Sequence, residues 1–193
     1  MKRIPLPLLI IVIAVLIISV EIVITSANSQ PLPDFHSTSR TKTSNCHVYG
    51  ALPDKECTPG AVFPNITPEI ICVSGYTTKV RNVPTSEKNA VFAEYGITSH
   101  KTGEYEVDHF ISLELGGSND ISNLFPEAAE PKPGFHQKDV IENYLHAQVC
   151  NHKMTLAQAQ QAVSWDWLKT YDRLQPGNPL NDIFTFLGLK LQP

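Results

Sequence analysis

The hydrophobic residues are spread unevenly along the chain. From Leu6 to Val20 they form an apolar run interrupted only by Pro7 and Ser19. Met1, Lys2 and Arg3 make its front positive, and the "TSANSQPLP" that follows is small and polar. This layout reads over residues 1–27 as a secretory signal cut after Ala27 or, counted from Ile4 to Ile24, as an uncleaved membrane anchor. Either reading takes the remainder out of the cytoplasm, as a secreted, periplasmic or outer-face protein. Residues 28–45, rich in Ser, Thr and Pro with few large apolar positions, read as a flexible linker.

Beyond the linker the pattern predicts a domain over residues 46–175 and a C-terminal tail over 176–193. Residues 46–84 alternate turn signals with short apolar runs, which predicts loops with short strands at residues 70–73 and 77–80. "SEKNAVFAEY" predicts a short helix capped by Ser86 and stopped at Gly96. "VDHFISLEL" mixes β-branched, aromatic and aliphatic residues before Gly116 and Gly117, which predicts a strand over 107–115 running into a turn. A second short strand follows at 123–125, and a Pro- and Gly-containing loop leads to a helix starting near His136. Ile141, Leu145 and Val149 give that helix, over residues 138–149, one apolar face. Thr155 and Gln158 have capping-box spacing, and Leu156, Ala159, Val163, Trp167 and Tyr171 stripe a helix over 155–174, with Trp167 as core. The fold class is α+β, with a strand–turn–strand–helix centre, added helices and a loop-rich N-terminal part.

Composition sharpens this. Hydrophobic residues make up 42% of the chain, enough for a core, and the net charge is −4. Losing Lys2, Arg3 and Glu21 with the leader would make it −5. An acidic domain has no broad electrostatic grip on nucleic acid, so any phosphate must be met by a local site or a bound metal. The four cysteines suit an oxidising compartment and allow three pairings, of which Cys46–Cys57 with Cys72–Cys150 is preferred. The second bridge would tie the upstream region to the helix at 138–149.

Chemistry concentrates at Asp108 and His109. Neighbours on a strand point to opposite faces, so one can bind a cation while the other activates a water. His136 would bring a second ligand from the helix. A mixed carboxylate and imidazole pair suits Mg²⁺, Mn²⁺ or Zn²⁺ without choosing between them. Glu106 shares a strand face with Asp108. Arg81 and Lys138 are candidate phosphate contacts, and Asn119 and Asp120 read as turn residues.

"DHFISLELGGSNDISNL" resembles the front half of the HNH motif of the ββα-metal endonucleases: an Asp-His pair, a Gly-Gly turn, Asn-Asp, then Asn-Leu. "TPGAVFPNITPEIICVSGYTTKVRNVP" upstream, with "KDVIENYLHAQVC" and "MTLAQAQQAVSWDW" downstream, is similar to exported bacterial proteins carrying such a motif. The resemblance implies a ββα-metal core in which Asp108 and His136 hold one divalent ion (Mg, Mn or Zn). It makes His109 the general base and Asn123 the residue that holds the loop so that the histidine is aimed. It further implies hydrolysis of phosphodiester bonds in DNA, or in RNA, with a nucleic-acid substrate as partner and no small-molecule cofactor. The membrane would be met only through an uncleaved leader. The segment between Asn123 and His136 is longer than in compact members, and their zinc-holding cysteine pairs are missing. Glu106, Glu127 and Asp139 therefore stand as alternative ligands. The other reading is a catalytically inactive envelope module, binding or structural, on the same scaffold.

Overall fold

The computed structural model describes residues 39–175; the leader read at 1–27, the first part of the linker and the tail at 176–193 lie outside the described residues. The fold is α+β, with one two-stranded sheet and two disulfides among the described residues. Three helices come first: α1 (Pro68–Ile71), α2 (Tyr76–Val80) and α3 (Thr85–Glu94). Strand β1 (Tyr105–His109) pairs antiparallel with β2 (Leu124–Ala128), and α4 (Phe135–Cys150) and α5 (Leu156–Leu174) close the domain.

The segments read as strands at 70–73 and 77–80 fall instead on and around α1 and α2. Their β-branched residues are outweighed by end signals: Pro68 occupies the first turn of α1 with Glu69, and Gly75 takes the left-handed conformation (φ 76°) that starts α2. Helix α3 is capped two residues earlier than expected, by Pro84 rather than Ser86. Residues 40–45, read as linker, are held to the domain, which begins at Cys46. Arg40 pairs with Glu94, Lys42 with Asp54 at 2.8 Å, and the Cys46 amide donates to the Glu94 carbonyl at 3.0 Å.

The long strand expected over 107–115 stops at His109. Phe110 to Leu115 form instead a buried loop ending in a 3₁₀ turn (Leu113–Leu115), with Ser112 accepting from the Glu114 amide. The run is apolar because the loop feeds two cores. Phe110 packs with Leu124, Phe125, Val91, Tyr95 and the Cys46–Cys57 bridge. Ile111 and Leu115 pack with Ile141, Leu145, Val149, Val163 and Trp167 of α4 and α5. A one-sided strand would bury only alternate residues. The two glycines are steric requirements of this loop. A Cβ on Gly117 would lie 1.7 Å from the Ile111 carbonyl oxygen, and one on Gly116 (φ 79°) 2.5 Å from Ile66.

Helix α5 follows its sequence up to Asp166, where the backbone leaves helical geometry (φ −168°, ψ 86°) and the helix kinks. Thr155 and Gln158 cap each other's backbone, the stripe from Leu156 to Trp167 is buried, and Trp167 donates to the Ala51 carbonyl at 3.2 Å. The two bridges are Cys46–Cys57 and Cys72–Cys150, spanning 11 and 78 residues. Because loop-closure entropy grows with loop length, removing the long bridge by Cys72→Ser with Cys150→Ser should cost about 4 kcal/mol, and Cys46→Ser with Cys57→Ser about 3 kcal/mol. Urea unfolding of both variants checks this; a larger loss for the short bridge contradicts it.

Candidate functional site

The site is built where β1, its loop and the start of α4 meet. Register pairs Glu106 with Glu127 and Asp108 with Phe125, so Glu106, Asp108 and Glu127 share one sheet face. Helix α4 is brought against that face by a close approach: a Cβ on Gly134 would lie 2.3 Å from the Ala128 carbonyl oxygen. Gln137 accepts from the Gly134 amide at 2.9 Å and closes the first turn. Lys138 then points inward.

Lys138 is fully buried, and its ammonium donates to Asp108 Oδ2, to Glu142 Oε1 and, at 2.8 Å, to the His109 carbonyl. Glu127 Oε2 lies 3.9 Å away. This corrects the expectation of Lys138 as a phosphate contact: all three ammonium protons are spent inside the protein. Burial alone would drive the lysine toward neutrality, but the carboxylates of Asp108 and Glu142 reverse this and hold its pKa above the ordinary range. Burial likewise opposes ionisation of Asp108, and the Lys138 charge outweighs it, holding Asp108 below its usual range. Burial pushes Glu142 up to about 7.

Asn123 is the second fixed point, with no exposed surface. Its side-chain carbonyl accepts from the Ile111 and Ala61 amides at 2.9 and 3.3 Å, and its amide donates to the Ile111 and Ser118 carbonyls, both at 2.9 Å. These bonds give the buried loop the partners that a neighbouring strand would otherwise supply. The loop is thereby fixed next to His109.

His109 is 2% exposed, and its Nε2 lies 3.2 Å from Asn119 Oδ1. Burial, helped by the charges of Arg81 and Lys138, pushes its pKa down to about 4, so the imidazole is neutral at pH 7. Arg81 is exposed at the C-cap of α2. Glu106 and Asp139 are also exposed; partial burial and the Asp108 charge raise the pKa of each. His136 is exposed with its ring 4.2 Å from that of Phe135, and it belongs to no compact ligand group among the described residues. The structure does not bring it to Asp108 in such a group: two residues apart on the helix, Lys138 and His136 lie on opposite sides, one buried and the other exposed.

The donor chemistry tests which ion the site fits. Both oxygens of Glu127 are buried, and no protein N–H donates to them. A carboxyl in that state needs a proton or a cation. Burial, reinforced by the Asp108 charge, pushes Glu127 up to about 10, so at neutral pH it holds a proton that it shares with Asp108. A divalent ion replacing that proton would meet two carboxylates, the oxygen donors that suit Mg²⁺ or Mn²⁺. Among the described residues, no imidazole or thiolate joins the pair to favour Zn²⁺. Of the alternative ligands, Glu127 stands beside Asp108.

Among the described residues, Cys72, His146 and Cys150 bring their ligand atoms within 4.8 Å of one another. The two sulfurs are bonded to each other as a disulfide, so they are not thiolates free to bind an ion. His146 Nε2 lies 3.2 Å from the Ile71 carbonyl oxygen and 3.3 Å from Cys150 Sγ.

No protein-family model, curated protein or solved structure matches the chain.

Sequence reasoning missed Glu142 and Asn119. Glu142 carried a signal, since it lies one helical turn from Lys138 at the spacing that pairs opposite charges. Asn119 carried only its turn propensity.

The buried imidazole makes stability depend on pH. In the unfolded chain it takes a proton near 6.5, in the folded protein only near 4. Its contribution is fully present above pH 6.5 and lost as pH falls through 4, by up to roughly 3 kcal/mol. Urea unfolding at pH 7 and 4.5 should show wild type losing more stability than His109→Asn. Equal losses contradict the assignment.

Proposed function

We propose that the protein is an exported, metal-dependent endonuclease of HNH type that hydrolyses phosphodiester bonds of DNA or RNA. The observation that carries this reading is His109. It is a neutral imidazole at the end of β1, next to Asp108, ahead of a loop clamped by Asn123 and within the field of an exposed arginine. A neutral imidazole held in one place suits a general base. The two disulfides suit an oxidising compartment and so support export.

Arg81 meets a phosphate oxygen of the substrate and orients the scissile group. His109 takes a proton from a water as the water oxygen forms its bond to phosphorus and the bond to the leaving oxygen breaks. Asn123 holds the loop and so the direction of the imidazole. Lys138 fixes the Asp108 carboxylate and the His109 carbonyl relative to α4. Asp108, with Glu127, would hold Mg²⁺ or Mn²⁺, which when bound supplies positive charge to the phosphate and leaving oxygen.

A second reading, a catalytically inactive envelope module on this scaffold, is favoured by one observation: Asp108 is already neutralised by an internal cation, Lys138.

Cleavage of plasmid DNA and of RNA with Mg²⁺, Mn²⁺, Zn²⁺ or EDTA tests the proposal. Cleavage is expected with Mg²⁺ or Mn²⁺, to stop with EDTA, and to fall on the order of 10²–10⁴-fold in His109→Ala. A folded protein inactive with every metal, or a fully active His109→Ala, overturns it.

A further inference from the structure

Asn119 lies in the turn between the two strands and makes three contacts of defined polarity. Its Nδ2 is 2.7 Å from the Val80 carbonyl oxygen, which can only accept. Its Oδ1 is 3.2 Å from the Asn82 amide, which can only donate. The two backbone groups therefore fix the orientation of the side-chain amide independently of any choice between oxygen and nitrogen. The third contact is the 3.2 Å approach of the same Oδ1 to His109 Nε2. Since that oxygen can only accept, Nε2 must carry hydrogen. A neutral imidazole has a single N–H, so the lone pair lies on Nδ1, which has no hydrogen-bonding partner among the described residues.

We infer that Asn119 is the positioning residue that sets the tautomer of His109 and makes Nδ1 the atom that takes the proton from water. Resting on the nuclease reading, this names the atom that acts and the residue that aims it. The same contacts tie the base to the end of α2. Val80 and Asn82 flank Arg81, so the backbone that orients Asn119 also carries the arginine assigned to the phosphate. A turn residue with no such role would only pin the loop to α2 and would leave the imidazole free to choose its tautomer.

The test is the ¹⁵N NMR spectrum of the His109 ring at pH 7 in the full chain, read beside steady-state cleavage. Wild type should show a protonated, pyrrole-type Nε2 and an unprotonated Nδ1. Asn119→Asp keeps an acceptor facing Nε2 and should keep that tautomer. Asn119→Leu, similar in size but without the acceptor, should let the Nδ1–H form appear and lower kcat on the order of 10²-fold with KM little changed. An Nδ1–H imidazole in wild type overturns the inference, and so does a wild-type tautomer in Asn119→Leu. If Asn119→Leu does not fold, wild type and Asn119→Asp decide, since an Nδ1–H form in either overturns it. The spectrum needs no turnover, so the two proposals fail separately. The expected tautomer in a protein that cleaves nothing sinks the nuclease and leaves the tautomer assignment standing. Cleavage by a protein with Nδ1–H sinks only the role of Asn119.

Discussion

One buried charge organises the site. The Lys138 ammonium has lost all contact with water, so its hydration shell is replaced by Asp108 and the His109 carbonyl from β1 and by Glu142 from its own helix, with Glu127 Oε2 of β2 nearby at 3.9 Å. Removing one partner of such a buried pair typically costs about 3–5 kcal/mol, because the remaining charge is left uncompensated. The helix therefore cannot slide along the hairpin without exposing or orphaning a charge. The positions of Asp108 and His109 relative to α4 follow from that constraint.

A second constraint acts on the other side of His109. The buried loop after β1 has no neighbouring strand to satisfy its backbone, and Asn123 supplies the partners. Gly116 and Gly117 let the chain close over Ile66 and Ile111 where any side chain would collide. The imidazole is thus held between an ion-paired strand end and a clamped loop. Its burial keeps it neutral down to a pH at which a solvated histidine would carry a proton.

Part of this arrangement is legible in the sequence. The order strand, loop, strand, helix follows from the Gly-Gly turn and the apolar spacing of Ile141, Leu145 and Val149. Helix α5 follows from the reciprocal Thr155 and Gln158 cap and its stripe of buried residues. The loop-holding part of Asn123 is implied by the resemblance alone and by no local pattern. The buried loop is not legible, since Phe110 to Leu115 read as a strand when apolar residues face two cores at once. Lys138 is hidden for a related reason: a lysine in the first turn of an amphipathic helix reads as solvated, and only three-dimensional packing puts Glu127, eleven positions earlier, beside it. The same packing leaves His136 exposed and buries Glu127 next to Asp108.

On the proposed nuclease reading, Asp108 and Glu127 hold a hard divalent ion for hydrolysis. The most direct measurement is the broadening of backbone amide NMR signals as Mn²⁺ is titrated into the ¹⁵N-labelled protein. The account predicts that signals of Asp108, His109 and Glu127 broaden first, and that Asp108→Asn removes the effect while the fold survives. Broadening centred elsewhere, or unchanged by Asp108→Asn, would contradict it.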